Sequence, residues 1–261
     1  MQNMQTQWAV VTGASSGLGV ALATGLARRG HNLVLVARRE APMQALAVQL
    51  RQDHGVQVVV EVLDLGGVDS AIELQGRLAG DGIEAGIFIN NAAFGLSSEF
   101  IDHAPERLRA MLQLDIMAMT ELTHLFGRRM AERGRGHLLL VASLAAYQPT
   151  PMLAAYGAAK AYLLSLGEAL HVELAPKNVG VTVLSPGLMQ TEFFDVSGYT
   201  PPPSTRVTML TPQAVAEIGL DAMFAGKASV IAGRLNRLVA LLGRFVSRVV
   251  QAKIMWSMRH R

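Results

Sequence analysis

The stretch "WAVVTGASSGLGVALATGLARRG", residues 8–30, decides how the chain is read. Its first half is a short apolar run rich in valine. Its second half is a helical pattern of Ala, Leu and Gly. Between them "TGASSGLG" (12–19) sets Gly13, Gly17 and Gly19 in the spacing G-x-x-x-G-x-G. Glycines at a strand–helix junction permit a tight turn, and they let a phosphate approach the backbone where a helix N-terminus meets its charge. A glycine-rich turn with no ligand is the bland alternative.

Outward from that stretch the same alternation repeats. "WAVVTG" (8–13), "HNLVLVAR" (31–38), "VQVVVEVLDL" (56–65), "AGIFINNA" (85–92), "GHLLLVAS" (136–143), "VGVTVLSPG" (179–187) and "ASVIAG" (228–233) predict strands. Most are nearly continuous apolar runs, as strands covered on both faces require. Helical patterns at 17–30, 41–54, 105–132 and 154–175 supply crossovers. The expectation is an α/β fold, a doubly wound seven-stranded parallel sheet with helices on both faces. In such a sheet the first strand–helix junction is where dinucleotides bind, which favours a ligand for the glycine turn. Residues 1–233 are expected to form one domain. "SGYTPPPSTR" interrupts the rhythm, because three consecutive prolines exclude regular structure.

Composition agrees with a packed domain. Hydrophobic residues make up 51% of 261, and mean hydropathy is +0.30. There is no cysteine, which excludes disulfides and thiolate metal sites. No signal peptide or membrane-spanning run is expected, so the expected location is cytoplasmic. Eight of the 23 basic residues and none of the 20 acidic ones lie from Lys227 onward, so the tail carries +8 and the first 226 residues −5. Basic charge confined to a tail argues against nucleic-acid binding. The histidines lack metal-ligand spacing.

The second strand ends "VARRE". An acid there would bind a ribose 2′-hydroxyl, as NAD sites commonly do. Arg38 and Arg39 stand in its place, and a guanidinium grips a 2′-phosphate bidentately. The expected cofactor is therefore NADP(H), with a plain solvated strand end as the alternative. Asp64, with Leu65 beside it, ends the third strand, where it either contacts the adenine amino group or is an ordinary loop aspartate.

Five motifs in order give the chain its resemblance: "TGASSGLG", "NNAA" (90–93), Ser143 after the fifth strand, "YGAAK" (156–160) and "SPGLMQT" (185–191). Together they resemble the short-chain dehydrogenases/reductases of the Tyr-x-x-x-Lys type, a Rossmann-type family. The resemblance implies that Gly13, Ser15, Ser16, Gly17, Leu18, Gly19, Asn91, Ala92, Pro186, Gly187 and Thr191 hold the cofactor, with Thr191 on the nicotinamide carboxamide. It also implies a catalytic set of Ser143, Tyr156, Lys160 and the residue at 115. Tyr156 and Lys160 share a helical face. An ammonium near a phenol favours the phenolate, so a lowered Tyr156 pKa is expected. Tyr156 would then act as general acid or base on a carbonyl or alcohol, Ser143 would stabilise the substrate oxygen, and Lys160 would reach the nicotinamide ribose. Taken alone, that pair would read as a snorkelling lysine and a half-buried tyrosine.

Two positions depart from the family pattern. Ala93 replaces a glycine, with only a small backbone shift expected. Asp115 replaces an asparagine and loses its amide donor. A charged carboxylate there would raise the pKa of Lys160 and alter the pH optimum. The expected activity is interconversion of a carbonyl and a secondary alcohol. A cofactor-binding regulator with little turnover is the alternative that Asp115 motivates.

The loop 188–210 is expected to close over the substrate. Leu188, Met189, Phe193, Phe194 and Tyr199 on it, with Leu144, Met152 and Leu153, predict an apolar wall and an apolar small-molecule substrate. The tail 234–261 is expected to be one amphipathic helix. Leu238, Leu241, Leu242, Phe245, Val249 and Ala252 follow helical spacing, and Arg237, Arg244, Arg248 and Gln251 lie opposite. Its apolar face would pack on the cleft or on a second copy in a homo-oligomer, or would lie on a membrane surface.

Overall fold

The computed structural model describes residues 7–200 and 208–259. Seven strands form one parallel sheet: β1 Trp8–Thr12, β2 Asn32–Ala37, β3 Val58–Val62, β4 Ala85–Asn90, β5 Gly136–Val141, β6 Val179–Ser185 and β7 Ser229–Ile231. Their spatial order is β3-β2-β1-β4-β5-β6-β7. The order reverses between β1 and β4, so a crevice opens beyond the C-terminal ends of those strands.

Strand residues alternate between two cores. Ala9, Val11, Leu33 and Leu35 face α1 (Gly17–Arg28), α2 (Glu40–His54) and α8 (Pro212–Phe224). Val10, Val34, Val36 and Phe88 face the other side, packed by α3 (Ser70–Gly80), α5 (Met119–Arg133) and α6 (Ala154–Leu174). This period of two, with apolar residues on both sides, is why the strands read as unbroken hydrophobic runs. The predicted strands are all present, each shortened at one or both ends.

Three expectations need correction. The predicted helix 105–132 is broken: α4 (Pro105–Leu112) passes through one π-helical turn, Gln113–Ala118, before α5. Segment 188–210 is not wholly irregular. It holds the short helix α7 (Phe193–Ser197), ended by Gly198 at φ 70°; residues 201–207 lie outside the described residues. The tail is two helices, α9 (Arg234–Gly243) and α10 (Arg248–Arg259), and residues 260–261 lie outside the described residues. Gln251 explains the break. Its amide donates to the carbonyls of Gly243 and Val246 at 2.6 and 2.7 Å, satisfying α9's C-terminal end. Gln251 is therefore buried rather than on the polar face.

Candidate active site

The glycine turn needs its glycines for different reasons. Gly13 and Gly17 have φ of 67° and 52°, where a side chain is strained. At Gly19 a Cβ would come within 2.1 Å of the Gly13 carbonyl oxygen. Thr12 pins the turn to β4: its hydroxyl accepts from the backbone N–H groups of Asn91 and Ala92 at 2.8 and 3.0 Å. Asn91 returns a side-chain bond to the Thr12 carbonyl at 2.9 Å. No side chain caps the N-terminus of α1. A bare helix N-terminus beside a backbone without Cβ atoms fits a pyrophosphate.

At the outer rim, Arg38 is exposed on the cleft lining with no ion-pair partner among the described residues. Arg39 donates to the Ser15 hydroxyl at 3.3 Å and pairs with Glu192 at 2.8 Å. Two guanidinium groups just past β2, at the position where an acid would meet a ribose 2′-hydroxyl, suit a further phosphate. Asp64 is exposed and accepts from the Gly66 N–H at 3.0 Å, closing its own loop. Leu65 lines the cleft beside it.

At the inner end, α6 begins at Ala154 and carries Tyr156 and Lys160 one turn apart, both buried. Lys160 Nζ lies 5.5 Å from the Tyr156 ring centroid and donates to the Val141 carbonyl at 3.2 Å. Ser143, just beyond β5, lines the same corner, and its hydroxyl accepts from the Ala145 N–H at 3.1 Å. Asp115 sits within the π-helical turn, fully buried behind the cleft wall. One carboxylate oxygen accepts from the Phe94 N–H at 3.1 Å, and the other lies 3.7 Å from Lys160 Nζ. The π turn rotates the following helix relative to the preceding one, which sets this carboxylate against α6.

Electrostatics here correct two expectations. The Tyr156 phenol is pushed above its ordinary range, not below it. Burial is the largest cause and the Asp115 charge adds to it, while a hydrogen bond to Ser143 partly offsets them. Lys160 is lowered, because burial outweighs the raising effect of Asp115. Burial likewise pushes the Asp115 carboxyl up to about 6, against the opposing pull of Lys160.

A single cleft of about 910 Å³ joins both ends. Every residue predicted to hold the cofactor lines it, as do Leu144, Leu153, Leu188, Met189, Phe193, Phe194 and Tyr199. Met152 does not. It occupies a left-handed turn at φ 71° and its carbonyl accepts from the Ser98 N–H, so it belongs to the framework of the turn. Phe193 packs on Tyr156 with ring centroids 5.3 Å apart.

The tail meets the cleft, one of the places expected for it, but through residues the sequence did not single out. Val239, Val246, Ile254 and Met255 close the cleft from the α9–α10 side. Asn236 is buried and donates to the Ala232 carbonyl at 2.8 Å. It lies so close to Gly187 that a Cβ there would stand 2.4 Å from the amide nitrogen. The signal available was a lone amide inside a basic amphipathic pattern, next to Gly233. Leu238, Leu241, Phe245 and Val249 remain exposed. Among the described residues no group of His, Asp and Glu is arranged to hold a metal.

Residues 7–199 match the short chain dehydrogenase family. The chain is 30% identical over 226 residues to very-long-chain 3-oxoacyl-CoA reductase of Anas platyrhynchos, covering 84% of this chain and 71% of that one. It is 32% identical over 188 residues to human 17-beta-hydroxysteroid dehydrogenase type 3, covering 71% of this chain but only 60% of that one. A short-chain dehydrogenase from Sphingobium yanoikuyae in complex with NADPH superposes with a TM-score of 0.82 at 30% identity, covering 91% of this chain and 93% of that one.

Proposed function

Because the chain belongs to the short-chain dehydrogenase family, we propose that it is an NADP(H)-dependent oxidoreductase that reduces an apolar ketone or oxoacyl compound to its secondary alcohol. The observation that carries this reading is the meeting of Ser143, Tyr156 and Lys160 at the inner end of a cleft whose outer end holds the glycine turn, Arg38 and Arg39. The NADPH-bound relative supports the choice of cofactor, and the oxoacyl and hydroxysteroid relatives support a long or bulky apolar substrate. A nicotinamide bound there would supply the hydride.

The residues then divide the work. A phenol with a raised pKa is held protonated, so Tyr156 is a proton donor at neutral pH and suits reduction better than alcohol oxidation. Ser143 accepts from the Ala145 N–H, and its one hydroxyl hydrogen, shared with Tyr156, would turn to the substrate oxygen. Lys160 is fixed by Val141 and by the Asp115 charge beneath the ring of Tyr156. Gly187, packed against Asn236, and Thr191 would border the nicotinamide end. Leu153, Phe193 and the tail residues Val246 and Ile254 exclude water from the substrate end.

The test is NADPH oxidation with a series of ketones and 3-oxoacyl thioesters of increasing size. Turnover should rise with apolar bulk. Tyr156→Phe should keep NADPH binding and lose turnover by about 10² or more. NADPH binding with no turnover on any member of the series would select the regulator reading that Asp115 motivates.

We place the tail at an anionic lipid surface. Exposed Leu241, Phe245, Val249 and Trp256 stand among Arg237, Arg244, Arg248 and Lys253, with no acid from Lys227 onward. Apolar burial and anionic headgroups act together on such a face. Among the described residues no helix is long and apolar enough to cross a membrane. Sedimentation with anionic vesicles at low salt should carry the full chain down, and neutral vesicles should not. Failure on anionic vesicles, with the chain eluting as an oligomer, would assign the face to a second copy.

A further inference from the structure

Arg39 has partners within the chain. Its guanidinium donates to the Ser15 hydroxyl and carbonyl, all at 3.3 Å, and to Glu192 Oε2 at 2.8 Å. The hydrogen bond from Arg39 is the first cause that holds the Glu192 carboxyl below its usual range, and a hydrogen bond from Ser16 adds to it. One carboxylate thus ties the end of β2 and the phosphate-binding turn to the start of α7. The chain around it is tied in as well. Thr191 packs against Gly17, and Phe193 packs against the Tyr156 ring.

We propose that Glu192 is a latch that competes with the cofactor's 2′-phosphate for Arg39, so that seating NADP(H) releases the start of α7 from the phosphate-binding turn. The inference rests on the NADP(H) reading given above. Its physical basis is charge and geometry. The rim holds two arginines and one close carboxylate. A phosphate monoester carries nearly two negative charges and several acceptor oxygens. It cannot share one side of a guanidinium with a carboxylate without bringing like charges within a few ångströms. The phosphate outbids the single carboxylate because Arg38 stands beside it with no ion-pair partner among the described residues. NAD(H) presents a neutral 2′-hydroxyl there and leaves the Arg39–Glu192 pair intact. The phosphate that marks the cofactor is thereby linked to α7, whose Phe193 touches the proton donor. Glu192 is in this sense a positioning and specificity residue rather than a catalytic one.

Removing the competing carboxylate should tighten binding only of phosphorylated ligands. Calorimetry of the full chain and of Glu192→Gln would compare 2′,5′-ADP with 5′-AMP, and NADPH with NADH, at low salt. Glu192→Gln should bind 2′,5′-ADP and NADPH roughly fivefold more tightly, the scale of one exposed ion pair, with 5′-AMP and NADH unchanged within about twofold. High salt should erase the difference. Both sites are exposed, so the variant is expected to fold. Unchanged affinity for 2′,5′-ADP, or an equal gain for 5′-AMP, would overturn the latch alone. If the unmutated chain binds 2′,5′-ADP no more tightly than 5′-AMP, the cofactor reading itself has failed and the latch fails with it.

Discussion

The cleft has an ion pair at each end, built in opposite ways. At the inner end Lys160 and Asp115 are 2% and 0% exposed, and their charged atoms are 3.7 Å apart. At the rim Arg39 and Glu192 are 48% and 54% exposed and only 2.8 Å apart. The longer pair is the costlier one to break, because removing either partner leaves the other charge buried. Two charges 4 Å apart interact by about 4 kcal/mol at an effective dielectric near 20, and by about 1 kcal/mol in water. Solvent, not separation, sets the scale. The buried pair sets protonation states around the chemistry, and the exposed pair remains available to exchange one partner for a ligand.

Breaking the inner pair should have the largest effect. Lys160→Met leaves a buried carboxylate without its counter-charge, a change that costs about 3–5 kcal/mol. Chemical denaturation at pH 8 should read that loss. The deficit should shrink at pH 5, where Asp115 takes up a proton. A deficit below about 1 kcal/mol at pH 8 would mean that water reaches the pair, and the contrast with the rim would collapse.

The rim should matter to ligands instead. Arg38→Asp should leave the denaturation midpoint almost unchanged. It should cost NADP(H) about 1.5–3 kcal/mol, the worth of a hydrogen bond to a charged group, and reverse the cofactor preference. The ratio of kcat/KM for NADPH to that for NADH checks it. Equal ratios before and after the substitution would remove Arg38 from the cofactor site.

Asp115→Asn sharpens the inner end by removing its titration. With Asp115 raised to about 6 in the folded chain, the native state holds the proton more tightly than the unfolded one does. Its contribution to stability is therefore present below the unfolded carboxyl pKa and is lost as pH rises through about 6. Protonated Asp115 also stops raising the Tyr156 phenol, so reductive turnover should rise as pH falls through that value. A one-unit movement of Tyr156 corresponds to about 1.4 kcal/mol. In Asp115→Asn the profile should be flat between about pH 5 and 7. An inflection that survives the substitution would belong to another group.

The smallest effect should come from the rim pair itself. Glu192→Gln should change stability by no more than about 1 kcal/mol, and by less in concentrated salt. A larger loss, insensitive to salt, would mean that Arg39 and Glu192 hold the fold as the inner pair does.

Much of this molecule was legible from short-range pattern. The glycine turn, the apolar strand runs and the four-residue spacing of Tyr156 and Lys160 are local features. Backbone sterics and helix periodicity act within a few residues, so a linear reading finds them. The residues predicted to hold the cofactor all line one cleft, and most of them lie just beyond the C-terminal end of a strand, where parallel strands bring those ends together. The protonation states were not legible. Lys160 next to Tyr156 suggested a lowered phenol, yet burial and the charge of Asp115, 41 residues away in sequence from Tyr156, reverse the direction. The amphipathic spacing of the tail was visible. Its break at Gln251 and the insertion of Asn236 against Gly187 were not, because both depend on which backbone carbonyls the folded tail leaves in need of a partner. Likewise nothing local to "VARRE" or "QTEFF" announces that Arg39 meets Glu192 across 153 residues. The strand–turn–helix grammar and the place of the cleft follow from local sterics and a repeating hydrophobic period, both present in the linear chain. Which charges are buried together depends on the packed fold, because the dielectric around a group is set by everything that packs on it.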